Sequence, residues 1–380
     1  MLAGRLSVSR AKTLRIGIDA RCLNVAHLRG MGNYLNGVID RLGRDRDLDW
    51  EFFSNRPDLP FHDPLHGQAK RHDVDFPGHR FQAWEQIVLP AQTLLHRIDV
   101  LHCPQNSAPL WQPVPTVITI HDTMIWDRDE AMGTGPYRDV ILPRAFARAA
   151  AIVTISEQSK RDIVARWPAL AAKLHVIPHG VEPEFLSVAP APLGADLAGA
   201  GIREPYLLYC GGLLERKRLG WALDIFAALD EPALQLVVCG VPQEHHEAAR
   251  RDLDPALRDR VCFAPYIATG AMPRLYQNAA AVLYPTLYEG FGFPALEAQA
   301  TGTPVLMSPL GSLAELAGPG AVMLGADDRE AWIAAAHNAV VARRDGAQPH
   351  AASRAWARGF TWEASAAAHR AIYTAAAGRR

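Results

Sequence analysis

Short apolar runs separated by segments of helical periodicity recur along almost the whole chain. Leu14-Arg-Ile-Gly-Ile-Asp19 reads as a first strand, and an amphipathic helix follows from about Gly32 to Leu42. Val100 to His102, Thr116 to Ile120, Ala151 to Ile155 and Leu174 to Ile177 continue the strand series. A Pro-, Ala- and Gly-rich stretch from Val188 to Arg203 then interrupts the rhythm and reads as a linker. A second series follows: Tyr206–Tyr209, Leu236–Cys239, Arg260–Phe263, Val282–Tyr284, Pro304–Met307 and Val322–Leu324. Helical segments such as Trp221 to Leu229 and Met272 to Ala280 lie between them, and an alanine-rich helix runs from Thr361 to Ala377. Alternation of strand and helix predicts parallel sheets covered on both faces. Two such series predict two Rossmann-like doubly wound domains, residues 1–190 and 191–380. Open sheets of this kind bind ligands at the carboxyl ends of their strands, so two of them facing each other would enclose a central cleft.

At 380 residues the chain is long enough for two domains with a core each. Charge is balanced, 39 Lys plus Arg against 40 Asp plus Glu, and both halves share that balance, which argues against a nucleic-acid partner. Cys22, Cys103, Cys210, Cys239 and Cys262 are dispersed, with no Cys-x-x-Cys pair, as expected of free thiols in a reducing, cytoplasmic setting. No run approaches the roughly eighteen apolar residues of a membrane span, and the first residues lack the apolar core of a signal peptide.

The stretch with most chemistry runs from Glu289 to Pro304. Glu289 and Glu297 flank a Gly290-Phe291-Gly292-Phe293 turn that leads into a helix start at Pro294; Gly302 and Pro304 stop that helix. With the preceding run Ala281 to Pro285 this is strand, glycine turn, helix N-terminus, an arrangement that turns backbone N–H groups toward a phosphate. Glu289 falls at the strand's mouth and Glu297 in the first helical turn, so both are expected to face one ligand. After the first strand of the second series, Gly211-Gly-Leu-Leu-Glu-Arg216-Lys217-Arg218 places two adjacent cations where a diphosphate would lie. In the first half, His121 follows a β-branched strand, and Arg29-Gly30-Met-Gly32 precedes a helix.

These features together resemble the retaining GT-B glycosyltransferases of family 4 (GT4), and Glu289 to Glu297 match their Glu-x7-Glu signature. The resemblance implies that Glu289 contacts the transferred sugar, Glu297 the ribose, and the turn Gly290, Phe291, Gly292, Phe293 the sugar or diphosphate. Arg216 and Lys217 match the Arg-Lys pair that holds the nucleotide diphosphate, although Leu214-Glu215 stand where Glu-Pro is common and Arg218 where Asn is. His121 corresponds to a sugar-contacting histidine, and Gly32 to a loop bordering acceptor and donor. Trp84-Glu-Gln86, Ser156 to Asp162 and Ile177-Pro-His-Gly-Val181 resemble the subgroup containing bacterial O-polysaccharide mannosyltransferases. That implies a nucleotide-sugar donor such as GDP-mannose, no metal or other cofactor, a saccharide or polyprenyl-diphosphate-linked acceptor, and peripheral contact with the inner face of a membrane. Trp84 itself reads better as core. Asp127-Arg-Asp129 imitates a metal-binding Asp-x-Asp but follows a strand series of the wrong architecture, and the His245-His246 and His175/His179 pairs lack zinc spacing. Two rival functions share this sequence: a nucleotide-sugar 2-epimerase of GT-B architecture, and a non-catalytic sugar-nucleotide-binding protein.

Overall fold

The computed structural model describes residues 13–76, 80–127, 135–187, 189 and 191–378. They divide into two compact units. One takes the described residues of Met1–Ile155, Lys160–Pro178 and Trp362–Arg380, the other Ser156–Ser159 and His179–Thr361. The chain therefore crosses near residue 178 rather than 190. Its last helix, Trp362–Ala377, joins the first unit and not the second, where the linear reading had put it.

The first unit contains a seven-stranded sheet: β1 (Leu14–Asp19), β2 (Leu48–Ser54), β3 (Lys70–Asp73), β4 (Val100–Cys103), β5 (Thr116–Thr119), β6 (Ala151–Thr154) and β7 (Leu174–Val176). The order is β3-β2-β1-β4-β5-β6-β7 and every pairing is parallel. The second unit contains β8 (Tyr206–Cys210), β9 (Gln235–Cys239), β10 (Val261–Phe263), β11 (Ala281–Tyr284), β12 (Val305–Met307) and β13 (Ala321–Met323), ordered β10-β9-β8-β11-β12-β13 and again all parallel. Both are doubly wound sheets. Their strand order reverses between β1 and β4 and between β8 and β11, the positions at which such folds bind ligands.

Most strands fall within a residue or two of the apolar runs, because strands buried on both faces are continuously apolar: all of β8, β9 and β11 is buried. β2 and β3 escape that reading. Asp49 and Glu51 interrupt the apolar sequence of β2, and β3 is wholly polar, Lys-Arg-His-Asp, as suits an edge strand. The expected linker also holds a short helix, Ala195–Gly199.

The last helix seats in the first unit through a close approach. Gly37, inside the helix Gly30–Leu42, has Trp362 so near that a Cβ would lie 2.5 Å from its indole. Beneath it a chain of buried polar groups joins four elements, the helix Gly30–Leu42, β4, β5 and the last helix. The Tyr34 hydroxyl lies 2.9 Å from Thr119 Oγ1 and 2.7 Å from His369 Nε2, while His102 bridges Thr119 (2.9 Å) and the Tyr373 hydroxyl (2.8 Å).

Candidate active site

Arg216 and Lys217 come from the loop after β8, and Glu289 from the loop after β11. Because β8 and β11 are adjacent parallel strands, with Leu208 opposite Val282, both loops emerge at the carboxyl end of one sheet, at its reversal point. There the three side chains meet. Glu289 forms an ion pair with Lys217 and lies 3.4 Å from Arg216 Nη1, and all three side chains are at most 14% exposed. Arg216 also donates to the Tyr288 carbonyl at 3.0 Å, and the Arg216 carbonyl accepts from Leu287 N at 2.8 Å, which stitches the two loops together. The Tyr284 hydroxyl hydrogen-bonds to Glu289, and burial beside that carboxylate drives its pKa upward. Two cations against one carboxylate leave this half-enclosed cluster with an excess positive charge, suited to a polyanion.

The turn that follows is held from outside. Ser312 Oγ lies 2.8 Å from the carbonyls of both Glu289 and Phe291. Gly292 sits at φ 107°, and a Cβ there would come within 2.6 Å of Leu313 Cδ2, so the position has use for glycine twice over. Phe291 and Phe293 turn their rings inward: His179 stacks flat on Phe293 at 4.8 Å and meets Phe291 edge-on at 4.7 Å. The helix runs Phe293–Thr301 and ends at Gly302 in the left-handed conformation. Pro294 is thus its second residue rather than its first, and Glu297 stands in the second turn, not the first as expected.

Glu297 accepts a hydrogen bond from Tyr276 and shares none of Glu289's partners. Burial, with a smaller contribution from the like charge of Glu182, raises its pKa to about 7. The structure therefore brings Arg216, Lys217 and Glu289 into direct contact and sets Glu297 on the adjoining helix with a separate partner.

The other two expected site residues belong to the first unit. His121 follows β5 and is 5% exposed; its Nε2 lies 2.8 Å from the Pro104 carbonyl, which can only accept, so that nitrogen carries the proton. The ring meets Tyr34 edge-on at 5.1 Å, and burial lowers its pKa to about 4, leaving it neutral near pH 7. Gly32 lies in the first turn of Gly30–Leu42, where a Cβ would stand 2.7 Å from the Cys22 carbonyl; its missing side chain admits the protein's own backbone. Trp84 is fully buried, as expected of core. Asp127 closes a short helix, Met124–Asp127, and Asp129 lies outside the described residues. All five cysteines are free, four of them buried. No helix among the described residues is long and apolar enough to cross a membrane.

Sequence reasoning overlooked Ser312, Tyr276, Tyr284 and His179, which hold the turn and its two glutamates. Tyr284 was hidden inside an apolar run and Tyr276 inside a helical segment, and His179 was seen only within a motif and in a histidine pair without zinc spacing.

Two parallel doubly wound units are the fold of the GT-B class, and the second carries a cationic pair and a glutamate at its strand reversal. Comparison with known proteins agrees. The family model "Glycosyltransferase Family 4" matches residues 28–185, and "Glycosyl transferases group 1" matches residues 204–341. The D-inositol 3-phosphate glycosyltransferase of Xylanimonas cellulosilytica is 30% identical over 322 residues, covering 80% of this chain and 75% of that protein. The O-antigen chain mannosyltransferase RfbU of Salmonella typhimurium is 25% identical over 221 residues; the match covers 58% of this chain and only 60% of that relative's length. Among solved structures, Anabaena Alr3699/HepE in complex with UDP-glucose superposes with a TM-score of 0.75 at 16% identity, over 95% of this chain and 99% of that one, a likeness of fold. The chain belongs to glycosyltransferase family 4, with O-antigen mannosyltransferases among its relatives.

Proposed function

We propose that this chain transfers a hexosyl group, with retention of anomeric configuration, from a nucleoside-diphosphate sugar to a saccharide or polyprenyl-diphosphate-linked saccharide. The donor we infer is GDP-mannose. The observation that carries the reading is the convergence of Arg216, Lys217 and Glu289 at the β8/β11 reversal, with Glu297 on the helix just beyond.

The bond from the anomeric carbon to the diphosphate oxygen breaks as the acceptor oxygen bonds to that carbon on the same face. The acceptor's proton passes to the departing phosphate oxygen, so no separate base is required. Arg216 and Lys217 meet the negative charge that grows on that oxygen, in the role a divalent cation fills elsewhere. Glu289 then orients the sugar hydroxyls, Glu297 accepts from the ribose, and neutral His121 contacts the sugar. O-antigen mannosyltransferases among the relatives favour mannose and a polysaccharide acceptor. D-inositol 3-phosphate glycosyltransferases, matched over more of the chain, favour a second acceptor, an inositol phosphate.

The test is a panel of nucleotide sugars, each incubated alone, with oligosaccharide-diphosphate lipids, and with D-inositol 3-phosphate. Nucleoside diphosphate released in step with glycosylated acceptor, in EDTA as well as in Mg²⁺, supports the reading. Conversion of donor without acceptor into its 2-epimer would make the protein an epimerase, and donor binding without turnover of any acceptor would make it a sensor. Loss of activity in EDTA, restored by Mn²⁺, would bring Asp127 and Asp129 back as ligands.

A further inference from the structure

Three metal-ligating side chains from distant parts of the sequence meet at the β3 edge of the first unit. Glu51 lies on β2, His72 on the edge strand β3, and His96 just beyond the helix Leu89–Leu95. Side chains two apart on a strand share a face, so Glu51 and Phe53 point the same way, as do Lys70 and His72. The parallel register sets Lys70 opposite Glu51 and His72 opposite Phe53. The end of the helix then brings His96 over the same face. One ligand atom from each residue lies within 4.8 Å of the other two.

The arrangement is unusual for side chains serving only the fold. The Glu51 carboxylate is 2% exposed, yet its Oε2 lies 2.5 Å from His72 Nε2. The rings of His72 and His96 stack at 3.8 Å between centroids. Phe53, 5.5 Å from one ring and 5.8 Å from the other, floors the cluster with an apolar surface. Gln92 Oε1, 3.1 Å from His96 Nε2, can accept a hydrogen bond from an Nε2–H, the tautomer that leaves the lone pair on Nδ1. An oxygen acceptor on the far nitrogen is the usual orienting partner of a metal-bound imidazole.

We propose that Glu51, His72 and His96 form a binding site for a borderline divalent ion of the Zn²⁺ class, with water as the fourth ligand. Two imidazoles and one carboxylate suit Zn²⁺, whereas Mg²⁺ and Ca²⁺ call for oxygen sets. Bonds of about 2.0–2.1 Å to tetrahedral zinc put neighbouring ligand atoms about 3.3 Å apart. The 2.5 Å Glu51–His72 hydrogen bond gives up its proton to solvent as the ion binds and opens to that spacing, while rotation of the two part-exposed histidines parts their stack and closes the wider separations. The ion takes the place of the Lys70 ammonium, now 3.2 Å from Glu51 Oε1 on a side chain that is 65% exposed and free to swing into solvent. Arg15 Nε also lies 3.8 Å from Glu51 Oε1, but its nearer partners are Asp49 at 3.2 Å and the His96 carbonyl at 2.9 Å, which hold it in place as the ion enters. The ion pins a four-residue edge strand to its neighbour and to a helix end. It has no part in the transfer reaction, whose cationic pair lies in the other unit.

The experiment is calorimetric titration of the chelator-stripped chain with ZnCl₂, paralleled by Co²⁺ absorption and by thermal unfolding with and without Zn²⁺. One equivalent is expected to bind, with a tetrahedral Co²⁺ spectrum and a Zn²⁺-dependent rise in Tm. His96→Gln and Glu51→Gln, which preserve size, should each weaken binding by about 100-fold or more and abolish the rise in Tm, at least the loss typical of supporting residues. Lys70→Met should tighten binding by removing the competing ammonium. No saturable binding by the wild type would overturn the proposal. So would equal affinity in the wild type, His96→Gln and Glu51→Gln, which would mark the zinc as held by other surface histidines.

Discussion

Glu289 and Glu297 have the same side chain and opposite surroundings, and their expected roles differ accordingly. Glu289 is fixed by two cations and Tyr284, and in the proposed reaction it faces the sugar whose anomeric centre gains positive charge, so Glu289→Gln is expected to lower kcat with little change in affinity for free nucleoside diphosphate. Glu297→Gln should weaken donor and free diphosphate alike, because ribose contacts hardly change during transfer. Measured kcat and diphosphate affinity in the reverse pattern would swap the two roles. Glu297 has a second signature. Its pKa is about 7 in the folded protein against an ordinary 4.5, so the protonated form is the one the fold favours. The associated stability is complete below about pH 4.5 and is lost as the pH rises through 7. Glu297→Gln, which cannot ionise, should therefore match wild-type Tm near pH 4.5 and exceed it at pH 8; a constant difference across that range would refute the assignment. For the cations, Arg216→Ala and Lys217→Ala are each expected to cut turnover by about 10²–10³ with folding retained, by analogy with loss of an oxyanion donor. Wild-type turnover in both would remove them from the reaction. Much of this cluster was legible, since Arg216, Lys217 and Glu289 all follow apolar runs that became adjacent strands. Their mutual pairing was not, because 72 residues separate Lys217 from Glu289.

The element that matters most is the turn and helix from Gly290 to Thr301. Its path depends on Gly292, whose φ of 107° and contact with Leu313 both oppose a side chain. Gly292→Ala should cost about 1–3 kcal/mol in denaturant unfolding and weaken diphosphate binding as the helix start moves. Unchanged stability and affinity would mean that the turn tolerates another path. A related strain lies in the loop after β8, where Arg218 takes a left-handed conformation, φ 56°, that Asn adopts more readily. Arg218 is held there by Asp327 at 2.9 Å and by Trp221, 4.2 Å below its guanidinium. The departure from the common Asn is thus compensated by tertiary partners that no local motif reveals. Polar edges were the other blind spot. β3 has no apolar residue, so only its pairing with β2 makes it a strand.

At the scale of the molecule, the last helix belongs to the first sheet. Gly37→Ala tests that packing with two opposed effects. Alanine favours the helix by about 1 kcal/mol, but its Cβ would press into Trp362, and overpacking typically costs about 1–3 kcal/mol. A net loss of stability is expected, with hydrogen exchange quickening first in Trp362–Ala377; a gain would mean that the helix can shift away at little cost. The polar chain below it predicts sensitivity to acid. Burial holds His102, His121 and His369 below their ordinary pKa of 6.5, the last two at about 4. The unfolded chain takes up protons there first, so the stability these groups support is present above pH 6.5 and is lost as the pH falls toward 4. Stability should decline over that range less steeply in His369→Gln than in wild type, and equal slopes would exclude His369 as a source.

The fold class, most strands and the Arg216, Lys217, Glu289 and Glu297 positions were set by local pattern alone. Strands buried on both faces must be apolar, and glycine and proline must mark the turns between them. Tertiary structure decided which unit claims Trp362–Ala377, the burial that raises the pKa of Glu297 to about 7, and that Glu51, His72 and His96 share one face. Those outcomes depend on register and on close approach between elements far apart in the chain, and a linear pattern carries neither.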